Sequence, residues 1–237
     1  MAKRTAHVSA DQRHIFAMGG GFSNPIVLRY ALQLTGKPTP RVLFINTATG
    51  DSADSLLRSY TRMAALDCVP SHLSLFTRTP RDLEKLILSQ NMIFVGGGNT
   101  KSMLAVWREY GIDKILEEAW KRGVILSGSS AGGICWFEGC CTDSFDEVYT
   151  ALPALGFLKG SCCPHYDGEP GRRGTYHSLI ESGQLDEGLA IDEGVGVHFV
   201  GRKLVEVVTA NQGTGAYLVR RKGAAFIDKP LPVRVLS

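Results

Sequence analysis

Along the first half of the chain, short apolar runs alternate with stretches of helical periodicity, and glycine or polar residues fall between them. His14–Met18 is the first run and ends in Gly19-Gly20-Gly21; a helical pattern then extends from Pro25 to Leu34. Arg41–Ile45 predicts a second strand and Ser52–Ala65 the helix after it. His72–Phe76 reads as a third strand, followed by a helix over Pro80–Ser89. Asn91–Val95 predicts a fourth, running into Gly96-Gly97-Gly98-Asn99-Thr100; helical patterns cover Lys101–Tyr110 and Ile112–Arg122, and strand Val124–Ser127 follows. Strands of this length alternating with helices imply βαβ units and a mostly parallel sheet.

The last third reads differently. Leu189–Ile191, Gly196–Val200, Lys203–Thr209 and Gly215–Arg220 are short runs separated by glycine or charged turns. That spacing suits antiparallel strands that extend or flank the sheet. With no repeat, linker or low-complexity segment, residues 1–237 predict one α/β domain. Its sheet is doubly wound and mostly parallel, with antiparallel C-terminal strands.

Composition narrows the classes. The chain has 237 residues, 44% hydrophobic and 21% charged, with a formal net charge of +3, as expected of an ordinary globular protein. The basic pairs Arg172-Arg173 and Arg220-Arg221-Lys222 are too short for a nucleic-acid surface and read as solvated faces. The polar start Met-Ala-Lys-Arg-Thr-Ala-His lacks a signal-peptide core, and no window has the length of a membrane span, so a cytoplasmic location is expected. The six cysteines are then expected as reduced thiols. Cys140-Cys141 and Cys162-Cys163, with His165 nearby, lack the Cys-x-x-Cys spacing of a zinc site. They read as small buried hydrophobes, and neither a metal nor a cofactor is expected. The sequence leaves a homodimer open.

The strongest chemical signal is Gly128-Ser129-Ser130-Ala131-Gly132, set between strand Val124–Ser127 and an expected helix Ala131–Phe137. It fits Gly-x-Ser-x-Gly, a strand-to-helix elbow that projects the serine hydroxyl at the carboxyl edge of a sheet. Small neighbours avoid clashes in that turn. In a chain with 27 glycines the motif also arises by chance as a structural turn, and the strand–turn–helix context favours the elbow. Ser127 and Ser129 are nearby rivals, but Ser130 alone is centred between the motif glycines.

A serine hydroxyl needs a base, most often His. His7, His14, His72 and His198 fall in or beside strand patterns, and His177 on an expected helix; all five have plain structural readings. His165 follows Ser161-Cys162-Cys163-Pro164, the exit of a short strand, where sites gather in α/β sheets. The carboxylate that would orient it is Glu193, in the turn after Leu189–Ile191, or Asp143, in the turn Thr142-Asp143-Ser144. Both could equally be turn residues that bond their own backbone.

Gly96-Gly97-Gly98-Asn99-Thr100-Lys101-Ser102 fails the phosphate-loop pattern because Thr100 stands where glycine must precede Lys-Ser. Gly19-Gly20-Gly21 lacks the third glycine of a dinucleotide fingerprint. Both read as loops at the carboxyl edge where backbone, and Asn99 with it, approaches a ligand closely. The amides of Gly98 and Ala131 are candidates for an oxyanion hole.

Val95–Thr100, Gly128–Gly132 and Cys163–Tyr166, in this order and at these intervals, resemble the peptidase E (aspartyl dipeptidase) family of serine peptidases, to which the cyanophycinases are related. The resemblance covers about residues 14 to 200. It implies an α/β fold like that of class I glutamine amidotransferases, a short peptide as substrate, Ser130 as nucleophile and His165 as base. It also implies an oxyanion hole from Gly98 and Ala131, and a third residue at Glu193 or Asp143, with Glu193 preferred. Asp-specific members place an arginine well after the base. Here the segment Tyr166–Arg173 is shorter, and Arg172 or Arg173 is the candidate for holding a substrate carboxylate. Asp167 and Glu169 are placed to neutralise these arginines or to take a substrate amino group.

Two other classes compete. An esterase on the same elbow would carry its His further downstream than the 35 residues between Ser130 and His165. An amidotransferase-like or non-catalytic binding domain would want Cys at the elbow, and the nearest thiol, Cys135, falls in the following helix.

Overall fold

The computed structural model describes residues 13–21, 24–146, 148–223 and 225–237. The chain runs β1 (His14–Met18), α1 (Pro25–Gln33), β2 (Arg41–Ile45), α2 (Ala53–Met63), β3 (Val69–Leu73), α3 (Leu83–Leu88), β4 (Met92–Val95), α4 (Thr100–Tyr110), α5 (Ile112–Lys121) and β5 (Ile125–Ser129). Then follow α6 (Ala131–Ile134), β6 (Phe137–Thr142), β7 (Thr150–Pro153), β8 (Leu158–Cys163), α7 (Arg172–Glu181), β9 (Gly188–Ile191) and β10 (Val195–Val200). β11 (Lys203–Thr209), β12 (Ala216–Lys222), β13 (Ala225–Pro230) and β14 (Arg234–Val235) complete it.

The architecture is mixed α/β with two sheets. The first has eight strands in the order β14-β11-β10-β1-β5-β4-β2-β3. Strands β1, β5, β4, β2 and β3 pair in parallel, as the repeating strand–helix pattern predicts, and β10 and β11 add antiparallel strands at one side. β1, β4 and β5 are buried along their whole length, which explains the apolar runs of β1 and β4 and the small residues Ser127, Gly128 and Ser129 of β5. Helices α1 and α2 cover one face through Val27, Leu28, Ala31, Leu32 and Met63; α4 and α5 cover the other through Leu104, Trp107, Leu116 and Trp120.

The second sheet was not anticipated. It has six strands, ordered β13-β12-β9-β8-β6-β7, with only the β6–β8 and β8–β9 pairs parallel. Its period-2 alternation explains the adjacent cysteines. Cys140 and Cys162 face the core shared with the first sheet; Cys141 and Cys163 face Tyr176 and Leu179 of α7. Burial pushes the thiols of Cys135, Cys162 and Cys163 well above the ordinary range and Cys140 to about 12, so they pack as small hydrophobes.

Several expected elements shift. The helix expected over Ala131–Phe137 stops at Ile134, and the chain turns straight into β6. The third strand lies at Val69–Leu73, three residues before its expected start, and the following helix is trimmed to Leu83–Leu88 with Asp82 as its cap. Among the described residues, no helix is long and apolar enough to cross a membrane.

Candidate active site

The parallel neighbours β1, β5 and β4 end on one edge of the first sheet, and β8 and β9 end at the corresponding edge of the second. Their following loops carry Gly19-Gly20, Ser130, Gly96–Asn99, His165 and Glu193 to one place. Ser130 directly follows β5 at φ 55° and ψ −119°, a conformation an L-residue holds only when its surroundings impose it. The Ser130 amide donates to the Met18 carbonyl at 3.0 Å, and the chain enters α6 through Ile134 N–H to Ser130 O at 2.9 Å. The motif glycines serve this turn: a Cβ on Gly128 would meet the Gly132 backbone, and one on Gly132 the Val95 backbone.

His165 also lies at positive φ, 69°. Its Nε2 is 2.8 Å from Ser130 Oγ, a hydrogen bond across 35 residues of sequence. Its Nδ1 lies 3.6 Å from Glu193 Oε2. That is longer than an N–H···O bond. Glu193 is held by its own amide donating to Asp167 Oδ1 at 3.0 Å. Gly20 packs flat against the imidazole, and a Cβ there would lie 2.5 Å from Nδ1. The arrangement can move a proton from Ser130 Oγ to His165 Nε2 and hold a carboxylate against the resulting cation.

Asp143 turns elsewhere. Its Oδ2 lies 3.7 Å from Arg172 Nη2, and both residues line the pocket beside Ser130 and His165. Arg172 is 2% exposed, stacks its guanidinium 4.3 Å from the centre of the Tyr149 ring, and donates through Nε (2.7 Å) and Nη2 to Glu169 Oε2. Burial pushes the Glu169 carboxyl up, but the bonds from Arg172 and Tyr149 outweigh it and hold that group below its ordinary range. Gly98, Asn99, Ser144, Asp143, Glu169 and Arg172 surround Ser130 and His165 in a pocket of about 280 Å³. Gly98 sits at φ 134°, and a Cβ on it would strike the Ala48 carbonyl. Asn99 caps α4 and donates its Nδ2 to Ser144 O at 3.0 Å, tying the glycine loop to the loop after β6. Arg173 does not line this pocket; it pairs with Asp228 at 2.6 Å.

The other histidines lie apart from Ser130. His14 and His198 bond one another at 2.8 Å, His72 accepts from or donates to Tyr60 at 2.8 Å, and His177 sits on α7 against Asp228. His7 lies outside the described residues, as does the rest of the polar N-terminal stretch. Ser127 and Ser129 are buried strand residues of β5. Cys135 closes α6 with its thiol bonded to the Gly132 carbonyl at 3.4 Å. Two contacts escaped the sequence reading, Gly20 against the imidazole and Asp228 beneath Tyr166. A glycine run and an isolated Asp-Lys carry no pattern that would mark them.

A serine at a strand-to-helix elbow, paired with histidine at the carboxyl edge of a parallel sheet, is the constellation of a hydrolase. The chain matches the model of Peptidase family S51 over residues 15–207, and it belongs to that family of peptidases. It is 46% identical over 230 residues to the uncharacterized peptidase YgaJ of Bacillus subtilis (strain 168), an alignment covering 95% of this chain and 100% of that one. Among solved structures it is similar to a peptidase from an acI-B1 Actinobacterium, with TM-score 0.72, 15% identity, and coverage of 93% of this chain and 96% of that one. A Listeria monocytogenes EGD-e protein assigned as peptidase E gives TM-score 0.65 at 18% identity, covering 84% of this chain and 100% of that one. At such identities the likeness is one of fold.

Proposed function

We propose that this peptidase is of the serine type and cleaves short peptides through an acyl-enzyme on Ser130. The observation that carries the reading is the 2.8 Å bond between His165 Nε2 and Ser130 Oγ, made by two residues that both hold positive φ. In this mechanism His165 takes the Ser130 proton as the oxygen attacks the scissile carbonyl. The amides of Gly98 and Ala131 receive the developing oxyanion, an interaction worth roughly 10²- to 10³-fold per donor in comparable enzymes. His165 then returns the proton to the leaving amine, and water releases the acyl group by the same steps in reverse. Glu193, facing Nδ1, orients the ring and stabilises its cation.

The pocket supports short substrates, since about 280 Å³ accommodates one or two side chains. Arg172 is the candidate for an acidic side chain, as in Asp-X cleavage. It is already paired with Glu169, however, and a substrate carboxylate would have to displace that partner. The reading therefore favours peptides whose recognised side chain is not acidic. We place the activity in the cytoplasm, where the free, mostly buried cysteines remain thiols.

Labelling with a fluorophosphonate, followed by peptide mapping, tests the proposal. An adduct on Ser130 is expected; an unlabelled protein that still cleaves peptides would rule out the serine mechanism. A panel of dipeptides with acidic, neutral and basic first residues then reads the specificity.

A further inference from the structure

We propose that the C-terminal hairpin β12–β13 is part of the active-site scaffold, with Asp228 a positioning residue that acts on His165 through Tyr166. The inference rests on the serine-peptidase reading of the site. It concerns residues beyond 207, where the match to the family ends.

Asp228 lies on β13, an edge strand, yet its side chain is only 5% exposed. Three groups converge on it: Tyr166 Oη donates at 2.7 Å, Arg173 Nη2 at 2.6 Å, and His177 Nε2 lies at 2.8 Å. All three belong to the segment that leaves β8 through His165 and enters α7. The neighbouring residue Ile227 is 44% exposed, so the strand turns its carboxylate inward and an aliphatic side chain outward. For packing alone an apolar residue would be preferred at position 228, because a buried carboxylate is costly and an apolar replacement is often neutral or stabilising. What the inward carboxylate adds is a fixed position for Tyr166. That residue follows His165, whose positive φ must be held from both sides. Its amide donates to Ile191 O at 3.3 Å and its hydroxyl to Asp228.

The other strand of the hairpin reaches the second half of the pair. Tyr217 donates to Asp192 Oδ2 at 3.2 Å, and Asp192 directly precedes Glu193. The rings of Tyr166 and Tyr217 lie 5.7 Å apart. One hairpin thus anchors the residues adjoining both the imidazole and the carboxylate that faces it.

The test compares wild type with Tyr166→Phe, Asp228→Asn and the double variant. The readouts are the melting temperature, kcat and KM on a cleaved dipeptide, and the rate of Ser130 phosphonylation. A displacement of the base by a fraction of an ångström should lower kcat and the labelling rate by about ten- to hundredfold, with KM within about twofold. The double variant should be no slower than the slower single, since both substitutions cut one chain of contacts. Labelling and kcat at wild-type rates in folded single variants would overturn the proposal, as would a loss confined to KM. Tyr166→Phe removes one hydroxyl from a ring still packed on Tyr176 and Tyr217, so it decides the matter if Asp228→Asn does not fold. Failure of the wild type itself to label at Ser130 would sink the serine reading instead.

Discussion

Ser130 and His165 meet at 2.8 Å, and each stands at positive φ, 55° and 69°. Strained backbone of this kind costs on the order of 1–3 kcal/mol per residue. Here it falls on both ends of one hydrogen bond, where two loops from different sheets converge. In the mechanism proposed above, this strain aims the hydroxyl and the imidazole at each other, so less ordering would remain to be done in the transition state.

The elbow therefore separates activity from stability. Ser130→Ala should lower turnover by roughly 10⁴-fold or more and leave the melting temperature nearly unchanged. Ser130→Gly should be equally inactive yet more stable than Ser130→Ala by about 1 kcal/mol, because glycine relaxes the φ 55° turn. Equal stability of the two variants would mean that the turn stores no strain.

Gly20 offers a test that leaves Ser130, His165 and Glu193 themselves unsubstituted. A methyl there would lie 2.5 Å from His165 Nδ1, within van der Waals overlap. Gly20→Ala should displace the ring and reduce kcat and the labelling of Ser130 by about a hundredfold, with a small change in melting temperature. Gly21→Ala, one residue on at φ 66°, should cost stability, and its Cβ, 3.2 Å from Glu193 Cγ, should press on that carboxylate rather than on the ring. A fully active Gly20→Ala would place the base elsewhere.

Much of this was legible in the sequence where burial is complete on both faces. β1, β2 and β4 read correctly because continuous apolar runs at the centre of a parallel sheet leave little else for them to be. The elbow was legible because its glycines are dictated by backbone contact. The second sheet was legible only in part: β9 and β12 read as strands at Leu189–Ile191 and Gly215–Arg220, but not as members of a separate sheet. β6 opens on Phe137 and then carries Glu138, Gly139 and two cysteines, a composition with weak strand preference. β13 turns Phe226 and Asp228 inward and exposes Ile227, so its inner face carries a carboxylate where an apolar residue would mark it. The preference for Glu193 over Asp143 was a narrow one, because the two turns are alike in composition. The distances, 3.6 Å from Glu193 to His165 and 3.7 Å from Asp143 to Arg172, give the two carboxylates different neighbours.

Far from the pocket, a buried histidine pair should make the fold sensitive to acid. His14 Nδ1 lies 2.8 Å from His198 Nε2, and His198 Nδ1 faces Tyr30 Oη at 3.3 Å. Tyr30 donates to Glu206 at 2.7 Å, so it accepts from His198, and His14 must then donate to His198. A second proton would set two N–H groups against each other. Burial lowers the pKa of His14, and burial together with His14 brings His198 down to about 4 from 6.5, despite the opposing charge of Glu206. The unfolded chain thus binds protons that the native state refuses. This contribution to stability is complete above about pH 6.5 and is lost as pH falls toward 4, at up to about 1.4 kcal/mol per pH unit for His198. Urea midpoints should fall between about pH 7 and about pH 5, and less steeply in His14→Gln/His198→Gln. An unchanged slope would mean that the pair does not titrate with unfolding.

The last prediction concerns the carboxylate that orients His165. Glu193 Oε2 is 3.6 Å from Nδ1, and Asp143 is engaged with Arg172. Closing the Glu193 gap by rotation of its half-exposed side chain would complete the hydrogen bond once substrate excludes water. Glu193→Gln should leave KM nearly unchanged and lower kcat by about 10²- to 10⁴-fold, since an amide neither stabilises the imidazolium nor fixes its tautomer. Asp143→Asn should cost about tenfold or less in kcat and act mostly through KM, by loosening Arg172 in the pocket wall. The double variant reports the coupling. If both carboxylates served the imidazole, it would be no slower than Glu193→Gln alone; if they act separately, as their partners indicate, the two losses should multiply. Should Asp143→Asn depress kcat more than Glu193→Gln, the loop after β6 must swing across the pocket during catalysis and the roles assigned here exchange.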